Sequence, residues 1–140
     1  MTQQSVRHHV RLLLPEFFAG LASRRHDQAS VILWIDNPEV ETSLLLGIAA
    51  SGGNSEYIGK APAPAECFIN GFTPNLIRTL DTFPHIDCTL EKVGSPQSLI
   101  IWDQMTDAAR ATLSTADFGK AQVPFNEYNF IKRLDEAAPF

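Results

Sequence analysis

The stretch ASVILWIDNPEVETSLLLGI, residues 29–48, decides the fold class. It contains two apolar runs, and the first, which ends at Ile35, is rich in the β-branched and large apolar residues that favour strands. Between the runs, Asp36-Asn37-Pro38-Glu39 has the residue types of a turn. The pattern therefore predicts a hairpin with strands over residues 30–36 and 40–48.

Patterns on both sides of this hairpin predict helices and further strands. Upstream, apolar residues recur every three or four positions from Val6 to Leu21, which predicts an N-terminal helix kinked at Pro15. Downstream, Thr73-Pro74 has the residues that begin a helix, so we expect a central helix from there to Phe83. Further strands are predicted over residues 56–60, 66–72, 86–93 and 98–102, and C-terminal helices over 106–113 and 124–137.

Together these elements predict an α+β fold in a single domain over residues 1–140. We expect a mostly antiparallel sheet of about five or six strands, covered by the N-terminal helix, the central helix and the C-terminal helices. The chain has 140 residues, of which 44% are hydrophobic, so it is large enough to bury a core of its own.

Charge is divided unevenly along the chain. Residues 1–27 have a net charge of +2 and residues 28–140 a net charge of −7, which gives −5 for the whole sequence. Nucleic-acid binding needs a concentrated basic surface, so this balance argues against a DNA or RNA partner. It favours another protein with a basic surface as the partner.

Cysteine usage and hydropathy predict a cytoplasmic protein. The first apolar run, Val10 to Leu14, is too short and too charged for a secretory signal or a membrane span, so we expect no membrane partner. Cys67 and Cys88 are the only cysteines and do not form a C-x-x-C pair. We therefore expect two free thiols in a reducing cytosol, with a disulfide between them as the alternative.

No segment has a cofactor-binding signature, and we expect no cofactor. Residues 53–60 resemble a phosphate-binding loop, but five residues separate the glycines where the motif needs four. Ala61 also stands where the motif needs a Ser or Thr to hold magnesium. A polar hairpin tip is the favoured interpretation of this segment.

Metal and nucleophile sites are not predicted either. His8 and His9 are adjacent and diverge on a helix, so they do not chelate one ion, and no metal site is expected. If residues 86–93 form a strand, Cys88 lies on the opposite face from His85 and Asp87. That placement argues against a nucleophile and its base, and we expect no catalytic residue.

The candidate partner-binding site is the acidic group Asp36, Glu39 and Glu41 around the first hairpin turn. Like charges held this close repel one another, and a cationic partner would relieve the repulsion; a solvated face is the alternative. Phe130 is a second candidate contact, for a homodimer or another protein, because it lies off the predicted apolar stripe of the last helix. Packing under a loop is its alternative. That stripe comprises Phe125, Tyr128, Ile131 and Leu134.

Size, acidity and the lack of a catalytic motif favour a small acidic protein-binding module. The favoured interpretation is an inhibitor, immunity or anti-defence protein that neutralises a protein partner without catalysis. One alternative is a structural or adaptor subunit of a larger assembly. Another is a small enzyme or ligand sensor with a pocket between the sheet and the first helix. These alternatives stay open because a fold class does not imply a function.

Overall fold

Four antiparallel strands pair in sequence order to form the main sheet. They are β1 (Val6–Leu14), β2 (Asp27–Ile35), β3 (Leu45–Ser51) and β4 (Tyr57–Lys60). The computed structural model describes residues 6–14, 27–52, 56–79, 85–96, 100–117, 122–124 and 126–140.

The predicted first hairpin is confirmed. β2 pairs antiparallel with β3, and Leu33 lies opposite Ile48. β3 begins later than predicted because residues 36–44 form a loop, across which the backbone N–H of Asp36 donates to the carbonyl oxygen of Leu44 (3.1 Å). The predicted edge strand is present as β4, paired with β3.

The predicted N-terminal helix is wrong over residues 6–14, which form β1. β1 pairs with β2 along its whole length, from Val6 opposite Ile35 to Leu14 opposite Asp27. The apolar residues of this segment have a helical spacing, but the segment pairs with β2, a long and apolar strand. This pairing determines the structure because the helix propensity of a segment is a weak effect compared with its tertiary contacts. The remainder of that helix, with its kink, lies outside the described residues.

Two small antiparallel sheets follow the main sheet. After a 3-10 turn at Ala65–Cys67, the pairs are β5 (Phe68–Ile69) with β6 (Thr73–Pro74) and β7 (Leu76–Thr79) with β8 (His85–Cys88). The chain reverses between β5 and β6 at Asn70 and Gly71, both of which have positive φ. The predicted central helix is therefore wrong where it is described, because its first residues form β6 and β7.

Both C-terminal helices are confirmed, and each begins after a capping side chain. Thr106 Oγ1 accepts a hydrogen bond from the backbone N–H of Ala109 (3.2 Å). Asn126 Oδ1 accepts one from the backbone N–H of Asn129 (2.9 Å). These bonds satisfy donors that lack a partner within the first helical turn. The helices are α1 (Asp107–Thr115) and α2 (Glu127–Ala137).

β2 is buried on both faces and therefore contributes to two cores. Successive side chains of a strand alternate, so Val31 and Leu33 face one side of the sheet while Ile32 and Trp34 face the other. In the first core, one face of β2 and β3 packs against the 3-10 turn and the small sheets; its buried residues are Ala29, Val31, Leu33, Ile48, Ala50, Cys67, Phe68 and Ile86. In the second core, the other face of β2 and β3 packs against α2; its buried residues are Ile32, Trp34, Ala49, Leu134 and Ala137.

The α+β class is confirmed, but the single sheet of five or six strands and its N-terminal and central helices are not. Within the described ranges, eight strands form one four-stranded and two two-stranded antiparallel sheets. The strand predicted over residues 98–102 is also wrong where described, because Ile100 and Ile101 are exposed and Trp102–Gln104 is a 3-10 turn. Neither α1 nor α2 has the length and hydropathy to cross a membrane, and the other described residues hold no helix that does.

Candidate functional site

The loop between β2 and β3 carries the acidic residues predicted to bind a partner. Asp36 is half-buried, and its Oδ1 accepts hydrogen bonds from the backbone N–H groups of Asn37 (2.7 Å) and Leu44 (2.8 Å). Glu39 and Glu41 are exposed. The Asp36 carboxylate therefore stabilises the loop, whereas the two glutamates present their charge to solvent. Binding of a basic protein at this loop stays a prediction.

Phe130, the other predicted contact, is half-buried and packs against the second core. A role in partner binding stays a prediction, and the packing leaves only part of its side chain for that role. The predicted apolar stripe of α2 is wrong in part: Tyr128 is 91% and Ile131 58% exposed, while Leu134 is buried. Each three-residue step falls about 60° short of a full helical turn, so a stripe built only from such steps drifts off one face. Phe125 lies outside the described residues.

A small polar group lies between β4 and β8. Lys60 Nζ is 2.8 Å from Asp87 Oδ1, and the backbone N–H of Cys88 donates to the same oxygen (2.8 Å). The hydrogen bond from Lys60 is the main reason that the pKa of Asp87 lies below its usual value. His85 Nδ1 is hydrogen-bonded to Thr79 Oγ1 (2.9 Å). The adjacent cavity has a volume of about 60 Å³, which exceeds the roughly 10–15 Å³ that a single water needs.

Cys67 and Cys88 form a disulfide, so the prediction of two free thiols is wrong. The bond joins the 3-10 turn before β5 to the last residue of β8. Cys88 does pack against the first core on the same side as Ile86, as the strand alternation predicted. A disulfide sulfur carries no thiolate, so it does not act as the nucleophile of a catalytic set. Nothing in the spacing of two cysteines distinguishes paired from free, which is why the sequence left both open.

The described residues contain no group of three or more His, Cys, Asp or Glu side chains placed to hold a metal ion. His8 and His9 lie in β1 instead of the predicted helix. His26 lies outside the described ranges. The structure therefore offers no donor set for a metal within those ranges.

A cleft of about 430 Å³ lies between α1 and α2. Its volume falls in the range of small-molecule sites, roughly 300–1,000 Å³. Arg110 on one wall pairs with Asp107, and its Nη1 donates to the carbonyl oxygens of Trp102 (3.4 Å) and Asp103 (3.3 Å). No pattern in the sequence indicates this cleft, because its walls come from three separate segments. The lining residues are Trp102, Arg110, Ala111, Ser114, Asn126 and Tyr128.

Comparison with known proteins identifies relatives along most of the chain. The family model for necrosis inducing protein (NPP1) matches residues 15–137. NLP effector protein 2 of Phytophthora capsici is 43% identical over 118 residues, which cover 83% of this chain and 47% of that protein. NLP effector protein 13 of the same organism is 42% identical over 119 residues, which cover 83% of this chain and 85% of that protein.

Solved structures share the fold. The crystal structure of the non-toxic HaNLP3 protein matches 100% of this chain and 65% of its own, with a TM-score of 0.83 and 31% identity. A structure described as a toxin fold for microbial attack and plant defense matches 100% of this chain and 65% of its own, with a TM-score of 0.81 and 28% identity. NLPPya in complex with mannosamine matches 99% of this chain and 64% of its own, with a TM-score of 0.80 and 28% identity.

These matches overturn the functional interpretation of the sequence. An inhibitor, immunity or anti-defence protein is wrong, because the relatives are necrosis-inducing proteins and effectors. The cytoplasmic localisation is wrong for the same reason, and the Cys67–Cys88 disulfide is a bond typical of oxidising compartments. The chain spans about half the length of NLP effector protein 2. With a family model matched from residue 15 to residue 137, the chain belongs to the necrosis inducing protein (NPP1) family.

Proposed function

We propose that this chain is part of a secreted effector that induces necrosis in plant tissue, and that it does so after recognising an amino sugar. The observation that carries the proposal is the family match over residues 15–137. The match to the toxin fold for microbial attack and plant defense, at a TM-score of 0.81, supports the same activity.

Secretion is supported by the disulfide. Cys67 is fully buried, so the Cys67–Cys88 bond lies inside the first core and not at an exposed position. Structural disulfides of this kind form and persist in oxidising environments such as the extracellular space. A protein that acts on foreign tissue has to withstand that environment.

Amino-sugar recognition is supported by the complex of NLPPya with mannosamine, whose fold matches 99% of this chain. An amino sugar carries an ammonium group at neutral pH, and an acidic protein attracts such a cation. This chain has a net charge of −5, so its overall charge is complementary to that ligand.

A second candidate function is that of a non-toxic effector, which binds a host ligand without causing necrosis. The non-toxic HaNLP3 favours this alternative, because its structure matches the whole of this chain at a TM-score of 0.83. The same fold therefore occurs in a protein described as non-toxic. An assay of necrosis is needed to distinguish a necrosis-inducing effector from a non-toxic one.

Leaf infiltration with the purified chain separates them. We expect lesions and electrolyte leakage that increase with dose. The positive control is the protein whose structure is described as a toxin fold for microbial attack and plant defense. The Cys67→Ala/Cys88→Ala variant is the control for reduced stability. Mannosamine binding is measured in parallel by calorimetry. Binding without lesions would select the non-toxic effector, and the absence of both would overturn the proposal.

A further inference from the structure

The first turn of α2 borders the cleft between α1 and α2, and it contains a buried amide group whose nitrogen has no acceptor. Asn126, which caps this helix, has an exposed fraction of 8%, and its Oδ1 accepts from the backbone N–H of Asn129 (2.9 Å). Its Nδ2 donates to no atom of the residues that the structure describes, although the residue lines the cleft. In contrast, Asn129 Nδ2 donates to the carbonyl oxygen of Val123 (3.1 Å). Buried donors nearly always have a partner, so Asn126 calls for an acceptor within the cleft.

The backbone at this end of α2 favours an acceptor that carries negative charge. The first N–H groups of an α-helix have no acceptor within the helix, and the helix dipole places about half an elementary positive charge there. α2 has 11 residues, and both Asn126 and Tyr128, at its N-terminal end, line the cleft. The helix end and the Asn126 amide therefore stabilise an anion at the same place.

Arg110 on α1 adds a positive charge at the opposite wall. A guanidinium has five N–H donors. Nη1 of Arg110 donates to two backbone carbonyls and Nη2 to Asp107, which leaves Nε–H and one N–H of Nη2 without an acceptor in the described ranges. The side chain of Asp107 is 96% exposed, and an ion pair with so exposed a partner is weak in water. No acidic side chain among the described residues lines the cleft, so the charge of this lining is positive.

The size and the aromatic lining of the cleft favour an anion that carries a flat ring. A volume of about 430 Å³ is far more than an inorganic anion fills. Trp102 and Tyr128 line the cleft, and the exposed ring of Tyr128 offers a face on which a planar ligand can stack. The guanidinium of Arg110 and the amide of Asn126 are planar donors, which match the two coplanar oxygens of a carboxylate.

We propose that this cleft binds a small aromatic carboxylate. Arg110 and Asn126 Nδ2 donate to the carboxylate oxygens, and the ring of the ligand stacks on Tyr128. The site takes an anion, whereas the amino sugar proposed above is a cation. It therefore goes beyond the proposed function and does not depend on it.

Calorimetry with benzoate tests the charge and the ring of the ligand separately. We expect benzoate to bind saturably, and benzamide, its neutral analogue, to bind at least about tenfold more weakly because it lacks the charge. Acetate, which has the carboxylate but no ring, should also bind at least about tenfold more weakly. The proposal is overturned if benzoate does not bind, or if benzamide or acetate binds as tightly. Displacement of benzoate by an equal concentration of mannosamine would also contradict it, because a cationic lining does not favour an ammonium group.

Two variants that each remove one positive charge locate the anion. Arg110→Gln should weaken benzoate binding by about tenfold or more. Lys132→Gln is the matched control and should bind within about twofold of the parent chain, because Lys132 is exposed and does not line the cleft. An equal loss of affinity in both variants would show that binding follows the net charge and not the cleft, and would refute the site.

A variant of the capping residue tests the amide donor without removing the cap. Asn126→Ser keeps a side-chain oxygen that caps α2 but loses Nδ2, so we expect a melting temperature close to that of the parent chain and about tenfold weaker binding. Melting temperatures of all variants are measured, so that a loss of fold is distinguished from a loss of binding. Parent-like affinity in both Asn126→Ser and Arg110→Gln would place the ligand elsewhere and overturn the assignment.

Tryptophan fluorescence reports where the ring binds. The chain has two tryptophans, and Trp34 is only 1% exposed, so acrylamide quenching reports mainly Trp102. Bound benzoate should protect Trp102 from the quencher. Tyr128→Ala should weaken binding by about fivefold or more, whereas Tyr128→Phe, which keeps the ring, should bind within about twofold of the parent chain. Unchanged quenching under saturating benzoate, or parent-like affinity in Tyr128→Ala, would contradict the proposed position of the ring.

Discussion

The Cα atoms of Cys67 and Cys88 lie 4.6 Å apart, and their disulfide connects the 3-10 turn that leads into β5 to the end of β8. β5 and β6 pair over only two residues each, and β7 and β8 over four, so backbone hydrogen bonding alone holds these hairpins weakly. The disulfide and the hydrogen bonds of the Asn75 side chain provide the additional stability that these short hairpins need. Asn75 is buried, donates to the carbonyl oxygen of Lys92 (2.8 Å) and accepts from the backbone N–H of Gly94 (3.1 Å).

Removal of the disulfide should therefore destabilise the protein. For a loop closed by cysteines 21 residues apart, we expect Cys67→Ala/Cys88→Ala to lose about 3 kcal/mol of unfolding free energy. Thermal unfolding with and without a reducing agent measures this effect. The reductant should lower the melting temperature of the parent chain and leave that of the double variant unchanged; an unaffected parent chain would contradict the prediction.

Acid should weaken the contact between Lys60 and Asp87. The pKa of Asp87 is lowered in the folded state, chiefly by the hydrogen bond from Lys60, so the stabilisation is present above about pH 4, the ordinary range for aspartate. It is lost as the pH falls through the lowered pKa. Both side chains are more than a third exposed, so Asp87→Asn should cost less than about 1 kcal/mol at neutral pH.

Urea unfolding at pH 7 and at pH 2.5 checks this prediction. The difference between the parent chain and Asp87→Asn should shrink at the lower pH. Lys60→Gln is the matched control and should show the same trend, because it removes the other partner. A difference that grows on acidification would show that the sign of the effect is wrong.

Close packing at Gly59 should make an added methyl group unfavourable. A Cβ at this position would lie 2.9 Å from Pro139 Cβ, nearer than side chains pack. We expect Gly59→Ala to lose about 1 kcal/mol of unfolding free energy, the low end of what overpacking costs, because Gly59 is exposed and Pro139 only half-buried. Gly52→Ala is the control, since its Cβ would meet only ordinary contacts at 3.4 Å and beyond. Equal urea midpoints for the two variants would argue against the contact with Pro139.

In the loop between β2 and β3, we expect Asp36 to contribute to stability and Glu39 and Glu41 to contribute only negative charge. Asp36→Ala removes the acceptor of two backbone N–H groups and should cost about 1–3 kcal/mol. Glu39→Gln/Glu41→Gln should change stability by less than about 0.5 kcal/mol, because both side chains are exposed. We expect this double variant to bind poly-L-lysine more weakly than the parent chain at low salt and similarly at high salt. Unchanged binding at low salt would mean that the glutamates form only a solvated turn.

Local sequence patterns predicted a strand or helix correctly where the contacts that form it lie within a few residues of one another. The apolar run from Val31 to Ile35 is rich in the β-branched and large apolar residues that favour strands, and it forms the buried part of β2. The residues Thr106 and Asn126 begin the two C-terminal helices through hydrogen bonds to amides three positions on. These are short-range effects, and both helices are present where the sequence predicted them, although α2 begins at Glu127 and not at residue 124.

Local sequence patterns predicted the wrong element where a segment pairs with a strand elsewhere in the chain. Val6–Leu14 has a helical spacing, but the free edge of β2 makes it a strand. Thr73-Pro74 has the residues of a helix start, yet it pairs with β5. The candidate cleft joins Ser114 with Asn126 and Tyr128, and no spacing in the sequence indicates that these side chains share one space.

The sequence by itself determined the α+β class, the first hairpin and the two C-terminal helices, because periodicity, turn residues and caps act within a few residues of one another. Only the tertiary structure decided the strand β1, the two small sheets, the pairing of Cys67 with Cys88 and the cleft between α1 and α2. Each of these brings together residues that are far apart in the chain, and their contacts depend on how the elements pack, which no local pattern encodes.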